Sequence, residues 1–421
     1  MMSVRSLTAV LERAFNMRDG FGREIDYMRI SVIDSCNLNC YYCNPCKNNE
    51  HCRAVNMLSV KKVLCIVKAA TRLGITHFRL TGGEPLLHPQ LDEMVSQIKK
   101  LPGVSSVSLT TNAVLLAQHV KRLKEAGIDS INVSLDTIDA SEYECITQKP
   151  LLKEVEHGID AAIECGIGVK INAVLTPQTD VVALTRYAAK KGTDIRFIEM
   201  MPVGEGHTNG VEPYEKVIGA LSEVYGEPCC VNTENRKEIN SEFNKYNEAQ
   251  QTQIEQQAKE STQTYMGRKN PDNGPAEYYI FPGLGIRVGL IQAIHGKFCD
   301  SCNRIRVTAD GRLMPCLGSG VTMDLLPDSC DFTDDLTDDL TDDLEKDSVI
   351  AQALKAAIKA KPKCHNFSDE EVLQPESVTY NTNKNNESEN AVTYKKTTEI
   401  KMTEIKAADV KAARNMSRIG G

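Results

Sequence analysis

Six cysteines fall into two sets of three: Cys36, Cys40 and Cys43, spaced C-x3-C-x2-C, and Cys299, Cys302 and Cys316, spaced C-x2-C-x13-C. A structural zinc or a purely electron-carrying iron–sulfur cubane takes four protein ligands. Three thiolates on a four-iron–four-sulfur cubane instead leave one iron open to a small molecule. Two such sets in one chain point to two ligands brought face to face. Zinc favours paired C-x2-C knuckles, so the x3-x2 spacing is unusual for it, yet spacing alone leaves zinc open.

Other residues could complete such a site. Thr81-Gly82-Gly83-Glu84-Pro85 closes the next expected strand, about forty residues beyond the first cysteines. Two glycines let backbone approach a ligand closely, and Glu84 can accept a hydrogen bond from an ammonium group, although by itself the stretch is an ordinary βα turn. Arg29, Arg79 and Lys170 fall in or at the ends of three different expected strands. Guanidinium forks bind phosphate oxygens bidentately, so these bases suit a phosphorylated substrate if the strands converge.

The elements that must hold these groups follow from periodicity. Short β-branched runs at 27–33, 76–81, 105–110, 130–135, 168–175 and 194–200 alternate with helical patterns at 59–73, 88–100, 115–125, 153–165 and 180–190. In the first helix Val60, Val63, Leu64 and Val67 recur at helical spacing and Gly74 supplies the stop; Gly127 and Gly166 end the third and fourth. Repeated βα units predict parallel strands with right-handed crossovers, as an incomplete barrel or an open doubly wound sheet. The chain divides into this framework at 1–231, a polar insertion at 232–274 and a segment at 275–330 carrying the second cysteines. An acidic insertion at 331–347 follows, then 348–421 with a helix at 348–361, a polar linker and a Gly-Gly end. In that helix Ile350, Leu354, Ala357 and Ile358 share a face.

The net charge of −8 is carried by 331–347, where eight Asp and Glu345 meet one lysine. The remainder is near neutral, so bulk charge neither supports nor excludes an anionic substrate. Thr-Asp-Asp-Leu occurs three times over 333–344 and reads as an exposed insert. Fifteen cysteines in 421 residues read as reduced thiols or metal ligands rather than a disulfide scaffold. Cys46 and Cys52 are assigned incidental roles, and Cys65 and Cys165 core positions. No 18-residue apolar run predicts a membrane span. Residues 1–15 read as an amphipathic lead-in rather than a signal peptide. The expectation is a cytoplasmic protein that binds neither membrane nor nucleic acid.

The first cysteine set, with Tyr42 before its last member and Gly-Gly-Glu-Pro at the next strand end, resembles the radical S-adenosylmethionine superfamily. That resemblance implies an α/β fold, an incomplete TIM-like (β/α)6 barrel. It also implies a 4Fe-4S cluster whose open iron is chelated by the amino and carboxylate groups of S-adenosylmethionine, yielding a 5′-deoxyadenosyl radical on one-electron reduction. Phe298-Cys299-Asp300-Ser301-Cys302-Asn303-Arg304-Ile305-Arg306, then Cys316 and the terminal Gly420-Gly421, are similar to the GTP 3′,8-cyclase family of molybdenum cofactor biosynthesis.

From this second resemblance come a C-terminal extension with a second 4Fe-4S cluster on Cys299, Cys302 and Cys316, and a set of roles. Tyr42, Gly83, Glu84, Ser134 and Met201 are expected at S-adenosylmethionine. Arg29, Arg79, Thr110, Lys170, Arg304, Ile305 and Arg306 are expected at GTP. Gly420 and Gly421, with Arg304 and Arg306, are expected to be catalytic. The implied reaction removes the ribose 3′-hydrogen of GTP and joins that carbon to C8 of the same guanine. An electron donor such as flavodoxin or ferredoxin is implied, and a homodimer is left open. Ala113 departs from the pattern, standing where Gly usually follows Thr-Thr-Asn.

Overall fold

Six strands form close to their expected positions: β1 (Tyr27–Ser31), β2 (His77–Thr81), β3 (Ser106–Thr111), β4 (Ser130–Ser134), β5 (Gly168–Val174) and β6 (Asp194–Ile198). They are joined by α1 (Val60–Thr71), α2 (Leu91–Lys99), α3 (Leu116–Glu125), α4 (Ala140–Thr147), α5 (Leu152–Glu164) and α6 (Val181–Lys190). The coordinates are a computed structural model. They describe residues 17–43, 55–202, 211–230, 274–319, 321–325, 340–365 and 367.

The six strands pair in parallel and in sequential order. Right-handed crossovers between sequential neighbours place every connecting helix on one face of the sheet. A doubly wound sheet would reverse order partway and carry helices on both faces. The observed order therefore selects the barrel-like alternative.

Side-chain alternation marks the two faces. Met28, Ile30, Phe78, Leu80, Val107, Leu109, Ile131, Val133, Ile171, Ile195 and Phe197 are fully buried in one apolar core with helix residues such as Val63, Ile66, Met94 and Val155. The alternate positions are polar and point to the concave face: Arg29, Arg79, Ser108, Thr110, Asn132, Lys170, Asn172 and Arg196. Each strand thus reads apolar-out and polar-in, the inverse of a barrel closed around a dry core.

The C-terminal third does not form a separate unit. β8 (Glu277–Ile280) and β9 (Arg287–Ile291) extend the sheet beyond β6, and β9 pairs with β6 in parallel. At the opposite edge β10 (Arg304–Val307) pairs in parallel with β1, followed by antiparallel β11 (Arg312–Met314) and β12 (Met323–Asp324). A two-residue strand, β7 (Cys229–Cys230), pairs antiparallel with β8. Consecutive strands β9 and β10 thus stand at opposite edges of the six-strand sheet, and residues 292–303 run between them.

A short helix, α7 (Ala220–Tyr225), follows a π turn. The last helix, α8 (Leu340–Lys359), begins eight residues before its expected start, inside the acidic insertion. Its Ile350, Leu354, Ala357 and Ile358 are fully buried in the core, as their spacing predicts. Cys65 is buried and Cys165 partly so. No helix among the described residues is long and apolar enough to cross a membrane.

Candidate active site

The first cysteine set follows β1 at the C-terminal end of the parallel strands, where α/β folds carry their functional loops. Three sets of contacts fix this loop. Gly83 N donates to Ile33 O at 2.7 Å and Glu84 N to Ser35 O at 2.7 Å, laying the glycine turn along the chain that leads into Cys36. A Cβ at Gly82 would stand 2.4 Å from Ile33 O, and one at Gly83 2.2 Å from Ser35 O, so neither position admits a side chain. Asn39 N and Tyr41 N donate to Thr147 O and Ile146 O at the end of α4. Finally, Tyr42 Oη donates to Asp136 Oδ2 at 2.5 Å, while Asp136 Oδ1 accepts from Val174 N.

The helix α4 was absent from the periodicity above, yet a capping signal marks it: Asp139 accepts from Glu142 N at 2.8 Å. Thr137 Oγ1 in turn donates to Glu142 Oε2.

Glu84 departs from expectation. Its Oε1 accepts from Leu86 N and Thr111 Oγ1, and its Oε2 from Asn112 N at 2.7 Å, all within a fully buried turn. The carboxylate is committed to tying β2 to β3 rather than offered to an ammonium group. Desolvation raises it to about 7 despite those donors. Asn112 carries the tie onward, its Nδ2 lying 3.7 Å from Cys36 Sγ and 2.7 Å from Asn37 Oδ1. Ala113 takes the left-handed conformation at φ 63°, which glycine would adopt without strain.

Charges around the first thiols are negative. Desolvation pushes Cys36 up to about 12, with Glu84 adding to it. Cys40 and Cys43 rise for the same reason, with Asp136 as the next upward influence on each. Ser134 at the end of β4 and Met201 just beyond β6 share the same end of the strands. Tyr42, Gly83, Ser134 and Met201 therefore surround one rim.

The concave face below that rim is cationic. Arg306, Arg29 and Arg79 lie in register across β10, β1 and β2. Arg79 Nε donates to Tyr27 Oη, and its Nη1 lies 3.4 Å from Thr110 Oγ1. Desolvation and then Arg306 hold Arg29 well below the usual guanidinium range; desolvation and Arg304 take Arg306 down to about 10. Tyr27 is the counterweight. Burial alone would raise its phenol, but Arg79 and Arg29 outweigh that and lower it. Arg304 stacks over Phe298 at 5.1 Å, and buried Arg304 Nε and Arg306 Nη1 meet no hydrogen-bond partner among the described residues.

Lys170 joins the same face from β5, opposite Asn132. Ile305 does not. Its side chain alternates to the helix side and is buried in the apolar core, so only its backbone borders the arginine row.

Arg196 belongs to this face although the sequence reading passed over it. Its Nε donates to Asn172 Oδ1 at 2.9 Å, and a Cβ at Gly289 would stand 2.7 Å from its side chain. The alternation in Asp194-Ile195-Arg196-Phe197-Ile198 matches that around Arg29 and Arg79, and the same rule would have found it.

The second cysteine set adjoins the lower end of β10. Cys302 N donates to Cys299 O, and Cys316 follows β11. Arg306 feels both Cys302 and Cys316, which puts this triple at the foot of the arginine row. The two triples thus lie at opposite ends of the β1–β10 pair. Among the described residues no three such side chains close on a single ion, but the thiols of each set neighbour one another electrostatically.

A strap from the end of α8 secures the second set. Arg23, ion-paired with Asp19 at 2.6 Å, donates to Cys299 O, Lys363 O and Pro362 O. Lys361 Nζ donates to Arg304 O and Pro315 O, both at 2.9 Å. His365 Nε2 lies 2.6 Å from Ala293 O. Burial alone would raise the Cys302 thiol, but Arg304 and Lys361 reverse this and lower it. Gly420, Gly421, Cys46 and Cys52 lie outside the described residues.

A model of the radical SAM superfamily matches residues 30–184, and one described as Molybdenum Cofactor Synthesis C matches residues 230–367. The GTP 3′,8-cyclase of Clostridium perfringens (strain SM101 / Type A) is 32% identical over 358 residues, covering 84% of this chain and 96% of the relative. That of Listeria monocytogenes serovar 1/2a is 33% identical over 356 residues, covering 84% and 92%. That of Peptoclostridium acidaminophilum is 35% identical over 314 residues, covering 73% and 85%.

Proposed function

Because the chain belongs to the GTP 3′,8-cyclase family of the radical SAM superfamily, we propose that GTP binds on the concave face between the two cysteine triples. The protein is a radical SAM enzyme that converts GTP to its 3′,8-cyclised product in molybdenum cofactor biosynthesis. When bound, a 4Fe-4S cluster on Cys36, Cys40 and Cys43 supplies the electron that turns S-adenosylmethionine into a hydrogen-abstracting agent.

The chain's own residues do the rest by positioning. Tyr42, Gly83, Ser134 and Met201 line the rim against S-adenosylmethionine, with Asp136 facing its positive charges from behind Tyr42. Arg29, Arg79, Arg304 and Arg306, with Lys170 and Thr110, hold the triphosphate and fix the ribose below the rim. Cys299, Cys302 and Cys316 would hold a second 4Fe-4S cluster, whose open iron would give the purine an anchor and so orient C3′ and C8 of one nucleotide towards each other. Gly420 and Gly421, outside the described residues, are assigned to the same reaction through the family resemblance.

The observation that carries this reading is the in-register row Arg306–Arg29–Arg79. Three guanidinium groups side by side, with the Tyr27 phenol as their counterweight, make a desolvated cationic surface that an anion stabilises further. A nucleotide triphosphate is the anion that the family's chemistry supplies.

Anaerobic reconstitution followed by incubation with GTP and S-adenosylmethionine tests it. The expected results are about eight irons per chain and the cyclised nucleotide. One cubane per chain, or 5′-deoxyadenosine formation that ignores GTP, would remove the proposal. Truncation of Gly420 and Gly421 is expected to abolish cyclised product while leaving the iron content unchanged.

A further inference from the structure

Lys361 is 3% exposed, and among the described residues no carboxylate forms an ion pair with it. An ammonium group has three N–H donors. Two of them reach Arg304 O and Pro315 O at 2.9 Å, which fixes the ammonium group beside Cys302 and Cys316. Arg304 lies two residues beyond Cys302, and Pro315 directly precedes Cys316. One buried cation therefore touches the chain beside two of the three cysteines. A buried charge needs a counter-charge or it is expelled. Here the sulfur of Cys302 is the group that can supply it.

We propose that Lys361 is a positioning residue of the second triple, whose charge raises the reduction potential of the cluster held there relative to the cluster on the first triple. Lys361 can act so only if both triples hold cubanes, as proposed above. Reduction adds negative charge to a cubane, and an adjacent buried cation stabilises the reduced form. Near the first triple stand carboxyl groups instead, Glu84 holding Asn112 beside Cys36 and Asp136 holding Tyr42 beside Cys43, and negative charge there favours the oxidised form. The two sites would then hold electrons unequally: the C-terminal cluster stays reduced at potentials where the N-terminal one gives its electron up.

The test is a redox titration with dithionite and mediators, followed by electron paramagnetic resonance, on the reconstituted full chain. Lys361→Met removes both charge and hydrogen bonds; Lys361→Gln keeps N–H donors for the two carbonyls but not the charge; Lys361→Arg restores the charge. The wild-type chain should show two couples. Both neutral variants should lower the upper couple by a tenfold change in its reduced-to-oxidised ratio at fixed potential, about 59 mV for one electron. The lower couple should stay in place, and Lys361→Arg should recover most of the shift. An upper couple at its wild-type potential in Lys361→Gln, or its disappearance from both neutral variants, would make Lys361 a strut and overturn the proposal. A single couple in the wild-type chain would instead sink the two-cluster assignment, and this inference with it.

Discussion

The two cysteine triples share a stoichiometry and differ in the field around them. Cys36, Cys40 and Cys43 sit among desolvated carboxylates, Glu84 and Asp136, and all three thiols are raised. In the second triple burial still raises Cys299, but Cys302 sits beside Arg304 and Lys361 and is lowered, with Arg306 adjoining it and Cys316. Equal numbers of cysteines thus sit in fields that differ in sign at Cys302. An acidic pocket suits the sulfonium and ammonium of S-adenosylmethionine, whereas a basic one suits an anionic nucleotide. Function here is set less by the six sulfurs than by what stands behind them.

The largest test of that contrast compares Cys36→Ala with Cys316→Ala. The first is expected to lose S-adenosylmethionine cleavage by ~10³-fold or more, the scale of removing an obligatory group. The second should keep forming 5′-deoxyadenosine while losing the cyclised nucleotide. Equal loss of 5′-deoxyadenosine in both, measured by chromatography, would erase the division of labour.

Arg29→Met probes the cationic side. Hydrogen bonds to charged groups contribute about 1.5–3 kcal/mol, so GTP affinity should fall roughly 10- to 100-fold by titration calorimetry. The melting temperature without GTP should rise, because a desolvated cation flanked by Arg306 has been removed. A lower melting temperature would mean that the fold already neutralises Arg29.

Glu84 probes the acidic side through pH. Its carboxyl titrates at about 7 in the fold, against about 4.3 in an unfolded chain. Between those values the folded state holds a proton that the unfolded state has released. The group's contribution is therefore fully present below about pH 4.3 and is lost as pH rises through about 7. The loss is at most about 3–4 kcal/mol. Urea unfolding of Glu84→Gln should follow a flatter profile over that window, from a lower start because Asn112 N–H loses its acceptor. An unchanged slope would show that Glu84 is ionised throughout.

Ala113→Gly should have the smallest effect. Relief of its left-handed backbone, less the added freedom of glycine, is worth about 0.5–1 kcal/mol of thermal stability. No gain would mean that packing against Gly158 dictates the conformation, since Ala113 O already crowds that position.

Much of the framework was legible because its signals are local. Alternation and glycine stops locate β1 to β6 to within a few residues, and the same alternation puts Arg29, Arg79 and Lys170 on the concave face. What local pattern cannot carry is partnership over distance. Arg304-Ile305-Arg306-Val307 alternates like a strand, but nothing nearby says that its partner is Tyr27–Ile30. Lys361 reads as an ordinary basic residue just past a helix end until Arg304 O and Pro315 O arrive from elsewhere in the chain. Arg23 is likewise defined by a carbonyl at Cys299. Glu84 was visible as a residue, but its tie between two turns was not, because its three donors come from both of them.

The placement of β10 beside β1 also sets a schedule for synthesis. Asn303 meets Asp26 at 2.7 Å across 277 residues of chain. At about 5–20 residues per second, the outer edge of β1 waits roughly 15–55 s on the ribosome before its neighbour emerges. During that interval the nascent sheet exposes unpaired backbone on both flanks, a template for unwanted pairing with other chains. Chaperone occupancy of the growing polypeptide should therefore persist until Val307 has left the exit tunnel.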